Sequence, residues 1–181
     1  AEDEVVKGAK QNWARFGGYN ASLVAIDPKT GDVLAMVGGR DYFDMDHDGN
    51  VNVSTRPRQP GSAFKPVVYA TLFKEKWGPG YRLFDLETDF GGGYKPKDND
   101  GRTAGPVTIR EALGSSLNIP AVKALSLAGM GNVLEQAKNM GINTLNEPDR
   151  YGLSLVLGGG EVKLLELSGA YAIFAGNGIK E

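Results

Sequence analysis

A serine followed three residues later by a lysine is the feature that most constrains this chain. Ser62 and Lys65 stand between the breaker Pro60-Gly61 and an apolar run at 67–73 that is long enough to form a buried helix. If Ser62 opens that helix, Lys65 lies on the same face one turn later, where its amine can reach the serine hydroxyl. Serine is a weak nucleophile at its own pKa, so an adjacent base predicts nucleophilic catalysis.

The same segment has an alternative interpretation: a helix cap followed by a lysine whose stem lies along apolar surface while its amine reaches water. Two common residues at this spacing recur by chance in exposed helices, so the flanking breaker and the apolar run carry the argument. Buried surroundings would lower the pKa of Lys65 and leave part of the amine neutral, as a general base requires.

A second polar pair, Ser116 and Asn118, lies just before Pro120. A hydroxyl and a carboxamide two residues apart, in a short loop between helices, can reach one cleft, where the hydroxyl relays a proton and the amide orients a substrate. The alternative is ordinary helix-breaking chemistry before a proline. The combination and order of the two pairs is therefore more informative than either alone.

With both pairs in this order, the chain resembles the transpeptidase domain of penicillin-binding proteins, most closely the bifunctional class A type that also carries a glycosyltransferase domain. The resemblance covers nearly the whole chain and includes the segments at 23–39, 105–113 and 157–162. It implies an α/β (α+β) fold of the penicillin-binding protein and serine β-lactamase type, with an antiparallel sheet flanked by helices.

In that family the serine attacks the penultimate D-alanine carbonyl of a peptidoglycan stem peptide, and the amine of a second strand resolves the acyl-enzyme. The resemblance implies that Ser62 is the nucleophile and that Lys65 activates it. It implies that Ser116 passes a proton to the leaving D-alanine nitrogen and that Asn118 holds the peptide backbone or a β-lactam side-chain amide. No cofactor is expected, and D-Ala-D-Ala stem peptides and β-lactam antibiotics are the expected ligands.

The family's third motif, Lys-Thr/Ser-Gly, and the strands that complete its sheet belong beyond Glu181. The only Lys-Thr-Gly here, Lys29-Thr30-Gly31, is typical of a hairpin turn. We therefore expect residues 1–181 to be the N-terminal part of a transpeptidase domain, with a strand hairpin at about 20–38 and a helical region carrying the motifs at about 60–180. A second chain is expected to supply the C-terminal part.

Composition excludes some classes of function. A net charge of −2 and a pI near 5.5 argue against a nucleic-acid partner, because phosphate binding needs a basic surface. The absence of cysteine excludes disulfides and thiol catalysis. No segment approaches the roughly 20 apolar residues of a membrane span. The family implies the extracytoplasmic face of a bacterial membrane, with an anchor that precedes residue 1 in the full-length protein.

An acidic loop repeats the Asp-x-Asp-x-Asp-Gly opening of a calcium site with Asp44, Asp46 and Asp48. Its twelfth position is Thr55, so the bidentate glutamate on which such loops depend is missing. A solvated acidic loop is therefore favoured, and calcium there is speculative. His47 is the only histidine and is expected at the surface, so no Ser-His-Asp triad can form.

The main functional hypothesis is a serine-type D-Ala-D-Ala transpeptidase. The alternative is a catalytically incomplete sensor that binds peptidoglycan or β-lactams without turnover. A β-lactamase ranks last because no glutamate is assigned the water-activating role that it needs. The glutamates considered for this role have ordinary structural interpretations: Glu87, Glu111, Glu161 and Glu166.

Periodicity and caps predict the remaining elements. Residues 2–15 form an amphipathic helix that ends at Gly17-Gly18, and Thr108 with Glu111 forms a capping box at the start of another helix. The stretch 78–105 is predicted to be an irregular connection. Further helices are predicted at 121–128, 132–140 and 164–175.

Overall fold

The computed structural model describes residues 1–180, and within them the chain forms two compact units. One unit comprises 1–58, 139–144 and the residues from 162 onward, and the other comprises 59–138 and 145–161. The described helices are α1 (Glu2–Phe16), α2 (Lys65–Lys74), α3 (Ile109–Gly114), α4 (Asn118–Ala128), α5 (Met130–Asn139) and α6 (Leu164–Ala175). The described strands are β1 (Leu23–Ile26), β2 (Val33–Val37), β3 (Arg82–Asp85) and β4 (Gly105–Thr108).

The first unit is built on the antiparallel hairpin of β1 and β2, in which Leu23 lies opposite Val37. At its turn the carboxylate of Asp27 accepts the backbone N–H of Lys29 at 2.8 Å. The predicted hairpin is confirmed, and so is the prediction that Lys-Thr-Gly at 29–31 is its turn. Helix α6 packs on β1 in this unit and has the bounds that the sequence predicted.

Helix α1 was predicted within one residue of its observed end. It buries Val5 and Ala9, and it stops at Gly17, whose φ of 68° is the left-handed conformation that glycine adopts readily. No helix within residues 1–180 is long and apolar enough to span a membrane.

The second unit has a core made by α2 and α4, which pack against each other. Phe64 and Val68 are fully buried on one side, and Val122 and Leu125 on the other. Burial of a phenylalanine such as Phe64 contributes about 2–3 kcal/mol. Because both helices begin at the same end of this core, the core fixes the separation of their first residues, which carry the candidate site.

The predicted start of α4 was wrong by three residues. The helix begins at Asn118 and continues through Pro120. A proline is tolerated in the first turn because its missing N–H is one of the donors that a helix start leaves without an intrahelical partner. Helix α5 likewise begins at Met130, two residues before the predicted start.

The segment predicted to be irregular contains a strand. Strand β3 pairs with β4 in an antiparallel hairpin that places Leu83 opposite Val107, and both side chains are buried. Asp85 lies opposite Gly105 at the end of this ladder and is fully buried. A carboxyl group from a connection that looks polar in the sequence therefore lies in the interior.

Thr108 forms the predicted capping box at the start of α3. Its Oγ1 accepts the N–H of Glu111 at 3.2 Å, and the Glu111 carboxylate accepts the Thr108 N–H at 2.7 Å. We predict that Thr108→Ala lowers the free energy of unfolding by about 1 kcal/mol, because both cap bonds depend on this arrangement. Denaturant titration measures the change. Thr103→Ala, at an exposed loop position, is the control, and equal losses in both variants would contradict the cap.

Candidate active site

Lys65 is the centre of the candidate site. It is the first residue of α2, directly after a 3₁₀ turn at Gly61–Phe64, and only 1% of its surface is exposed. Its Nζ donates to the carbonyl oxygen of Ser116 at 2.6 Å, to Ser116 Oγ at 3.1 Å and to Asn118 Oδ1 at 2.8 Å. An ammonium has three donors, so all of them are used.

Burial lowers the pKa of Lys65 to about 8, and the negative charge of Asp98 opposes this change. The cause is desolvation, which disfavours the charged form of an amine that has left water. A group with this pKa exchanges its proton readily near neutral pH, which an ordinary surface lysine does not. Because Lys65 is buried and its Nζ is hydrogen-bonded to Ser116 and Asn118, the alternative of a lysine with its amine in water is wrong.

The segment between α3 and α4 presents Ser116 and Asn118 to this lysine. Ser116 has a φ of 53°, a left-handed conformation that costs a residue with a Cβ about 1–2 kcal/mol. The turn is closed on one side by the N–H of Leu117, which donates to the Ala112 carbonyl at 2.9 Å. Asn118 opens α4, and its Nδ2 donates to the Lys97 carbonyl at 2.8 Å. Backbone contacts therefore fix the turn that carries Ser116 and the side chain of Asn118.

Ser62 lies in the 3₁₀ turn that precedes Lys65, with an exposed side chain. Its carbonyl oxygen accepts the backbone N–H of Lys65, but the three Nζ hydrogen bonds of Lys65 all go to Ser116 and Asn118. Of the four predicted site residues, the structure joins Lys65, Ser116 and Asn118 and leaves the Ser62 hydroxyl accessible. Catalytic hydrogen bonds often tighten only when substrate binds, so this geometry leaves Ser62 a candidate nucleophile.

Gly158 packs against the backbone of Gly61, the residue before Ser62. A Cβ built at Gly158 would lie 2.2 Å from the Gly61 nitrogen and 2.4 Å from its Cα. Gly158 also has a φ of 91°, which L side chains rarely adopt. The triple-glycine segment therefore sets the position of the turn that carries Ser62.

Two acidic residues near the site were missed as functional candidates. Asp98 is 6% exposed and accepts the backbone N–H of Asn118, and Asp85 is fully buried. The sequence analysis placed both in a polar connection. One signal was available for Asp85, because in a strand it shares a face with Leu83, two residues earlier.

Comparison with known proteins identifies the family. Residues 21–179 match the family model described as the penicillin-binding protein transpeptidase domain. The chain belongs to this family. Penicillin-binding protein 1F of Bacillus subtilis is 42% identical over 87% of this chain, and penicillin-binding protein 1A of Neisseria flavescens is 34% identical over 88% of it. The chain spans about a fifth of these relatives, namely 21% and 20% of their lengths.

Solved structures of penicillin-binding proteins share the fold. Penicillin-binding protein 1A from Haemophilus influenzae superimposes with a TM-score of 0.74 at 29% identity, over 88% of this chain and 25% of that one. Penicillin-binding protein PonA1 from Mycobacterium tuberculosis superimposes with a TM-score of 0.79 at 23% identity, over 98% of this chain and 48% of that one. The predicted transpeptidase-type fold, with helices and antiparallel strands, is confirmed.

In the acidic loop at 44–48, the first aspartate is bound by side chains of the same chain. Asp44 pairs with Arg40, and His47 Nδ1 lies 2.9 Å from the same carboxylate. These contacts hold the pKa of Asp44 below its usual value, with the Arg40 hydrogen bond the largest cause. Within residues 1–180 no group of three or more His, Asp or Glu side chains is arranged to hold a metal ion. The prediction of a solvated acidic loop without a cofactor stays a prediction, and so does its calcium alternative.

Two of the glutamates considered for a hydrolytic role make structural contacts. Glu111 belongs to the α3 cap, and Glu166 accepts the N–H of Asn143 at 3.0 Å and pairs with Lys163 at 3.2 Å. Their structural interpretation is confirmed.

We predict that Gly158→Ala destabilises the protein by about 2–5 kcal/mol, because the new methyl group adds both backbone strain and a clash with Gly61. Gly152→Ala is the matched control, since a Cβ there meets nothing within 4 Å. Its change should stay within about 0.5 kcal/mol. Thermal unfolding of both variants is the measurement, and equal midpoints would show that the close approach at Gly158 is unimportant.

Proposed function

We propose that this protein is a peptidoglycan D,D-transpeptidase that cross-links stem peptides through an acyl-serine intermediate and is a target of β-lactams. The observation that carries the proposal is Lys65, a buried amine bound to both side chains of the Ser116–Asn118 pair at the end of the turn that exposes Ser62. Membership of the penicillin-binding protein transpeptidase family supports the same activity.

In the proposed acylation, Ser62 Oγ attacks the carbonyl carbon of the penultimate D-alanine and transfers its proton to neutral Lys65. The carbonyl π electrons move to the oxygen, which the backbone N–H of Ser62 helps to stabilise. When the tetrahedral intermediate collapses, the C–N bond breaks. Ser116, which lies 3.1 Å from Lys65 Nζ, gives its hydroxyl proton to the departing D-alanine nitrogen and takes a proton from the Lys65 ammonium.

In the second half-reaction an amine of another stem peptide attacks the acyl-serine ester and loses a proton to the same Lys65–Ser116 pair. The C–O bond to Ser62 breaks, and the serine oxygen recovers a proton. Asn118 is proposed to orient the bound peptide through its side-chain amide. A β-lactam amide would acylate Ser62 by the first half-reaction, and its leaving nitrogen would remain tethered in the adduct.

The remaining proposals concern the whole protein. Since the chain spans about a fifth of its relatives, we propose that residues 1–181 act as the N-terminal part of the transpeptidase domain. The Lys-Thr/Ser-Gly motif would come from a C-terminal part. On the class A resemblance we also propose a glycosyltransferase domain and a membrane anchor in the full-length protein, with the site on the extracytoplasmic face of the cell membrane.

We predict that Ser62→Ala abolishes covalent labelling of the protein by penicillin while leaving its unfolding midpoint unchanged, because the exposed hydroxyl is the proposed nucleophile. Intact mass and peptide mapping detect the adduct. Ser115→Ala, at another exposed serine, is the control and should label normally. Labelling that persists in Ser62→Ala would exclude this nucleophile. Cross-linked product from a stem peptide and an amine acceptor distinguishes a transpeptidase from a binding-only sensor.

The pKa of Lys65 predicts how acylation depends on pH. Since that pKa is about 8 and the neutral amine is the base, the acylation rate should rise as pH approaches 8 and level off above it. Stopped-flow rates with a chromogenic β-lactam measure this limb. Lys65→Ala should lose the limb together with most of the rate, and a wild-type rate that does not change with pH through this region would contradict Lys65 as the base.

A further inference from the structure

Two buried carboxyl groups lie next to each other behind the site. Asp85 Oδ2 accepts the N–H of Ala104 at 2.6 Å, and Asp98 Oδ1 accepts the N–H of Asn118. The other two oxygens, Asp85 Oδ1 and Asp98 Oδ2, are buried and have no donor within the described residues. Asp98 is among the groups that raise the pKa of Asp85, so the two carboxyl groups are neighbours.

One proton shared by the two carboxyl groups would give the two unpaired oxygens a hydrogen bond to each other. Two ionised carboxylates in contact repel each other and leave two buried acceptors without donors, whereas a carboxylic acid paired with a carboxylate has one donor for one acceptor. Burial is the largest cause that raises the pKa of Asp85, and contact with Asp98 adds to it. A proton on Oδ1 of Asp85 would supply the donor that Oδ2 of Asp98 lacks.

Asp98 is the member of the pair that contacts the candidate site. Asp98 holds the first backbone N–H of α4, and the neighbouring Lys97 carbonyl holds the Asn118 side chain. The charge of Asp98 also raises the pKa of Lys65 against the effect of burial. One segment thus fixes the amide that Lys65 contacts and supplies a negative charge close to the buried amine.

We propose that Asp98, paired with a protonated Asp85, is a positioning residue for the transpeptidase reaction, which fixes Asn118 and sets the charge balance around Lys65. This inference rests on the proposed function of the Ser62, Lys65 and Ser116 site. Asp98 does not touch the reacting atoms, and it acts through the α4 N-terminus and through its field at Lys65.

The ionisable groups around the pair come from two helices, α2 and α4. Lys65 and Tyr69 lie on α2, and burial together with the charge of Asp98 raises the pKa of the Tyr69 hydroxyl. Lys123 lies on α4 and acts on Asp85, and its Nζ donates to the Phe84 carbonyl at 2.5 Å. The Tyr69 hydroxyl therefore stays neutral at physiological pH. Of these two α2 groups, only Lys65 can carry a positive charge that interacts with Asp98.

The test uses amide and alanine replacements at both positions in the intact protein. Asp85→Asn copies the protonated acid, because its Nδ2 can donate to Asp98 and its oxygen can accept from Ala104. Asp98→Asn keeps the acceptor for Asn118 but moves the charge onto Asp85, farther from Lys65. The alanine variants remove these contacts, and Asp100→Asn, at an exposed aspartate in the same connection, is the control.

We expect Asp85→Asn to restore the penicillin acylation that Asp85→Ala loses. Asp98→Ala should lower the acylation rate roughly tenfold or more, the size of effect expected when a supporting contact is lost. Asp98→Asn should shift the acid limb of the rate profile to lower pH, because the charge that favours the Lys65 ammonium has moved away. A limb that stays in place, or an Asp85→Asn loss equal to that of Asp85→Ala, would overturn the proposal.

Carbon-13 NMR of aspartate-labelled protein provides a readout that needs no activity. One carboxyl should have the chemical shift of the neutral acid at neutral pH and disappear in Asp85→Asn but not in Asp100→Asn. Absence of any neutral aspartic acid would overturn the shared proton even if acylation is normal. Conversely, a neutral Asp85 in a wild-type protein that penicillin never labels would uphold the pair and reject the proposed transpeptidase function.

Discussion

The site depends on the burial of one ammonium group. An amine removed from water is stable only when its donors are satisfied, and Lys65 meets this requirement with three acceptors from the turn between α3 and α4. That turn must therefore keep a fixed position relative to the start of α2. The packing of α2 on α4 provides this, since the same core that excludes water from Lys65 also fixes its acceptors.

Much of this arrangement was predictable because the signals are local. The spacing of Ser62 and Lys65, the β1–β2 hairpin and the Thr108 cap each depend on residues close together in the chain. The order of the two motifs is likewise read directly from the sequence. Sequence reasoning also predicted that Lys65 would be buried, from the apolar run that follows it. Its hydrogen-bond partners needed the tertiary structure, because Ser116 lies on a different helix connection.

The missed strand β3 and the missed burial of Asp98 have one physical origin, which is that residues distant in the sequence determine them. Strand β3 has four residues, and only its pairing with β4 across a long polar connection makes it a strand. No local sequence signal in that connection indicates that Asp98 is buried, because its surroundings include Asn118 and Asp85 from elsewhere in the chain. The start of α4 was misplaced because Pro120 was interpreted as the residue before the helix, whereas a proline fits in the first helical turn.

Ser116 shows that this turn cannot be relaxed without changing its chemistry. Glycine and asparagine adopt the left-handed conformation most readily, but neither carries a hydroxyl. Any substitution that eases the backbone at φ 53° therefore also removes the oxygen that contacts the lysine. At this position a relaxed backbone and a hydroxyl that contacts the lysine exclude each other, so the strain belongs to the site itself.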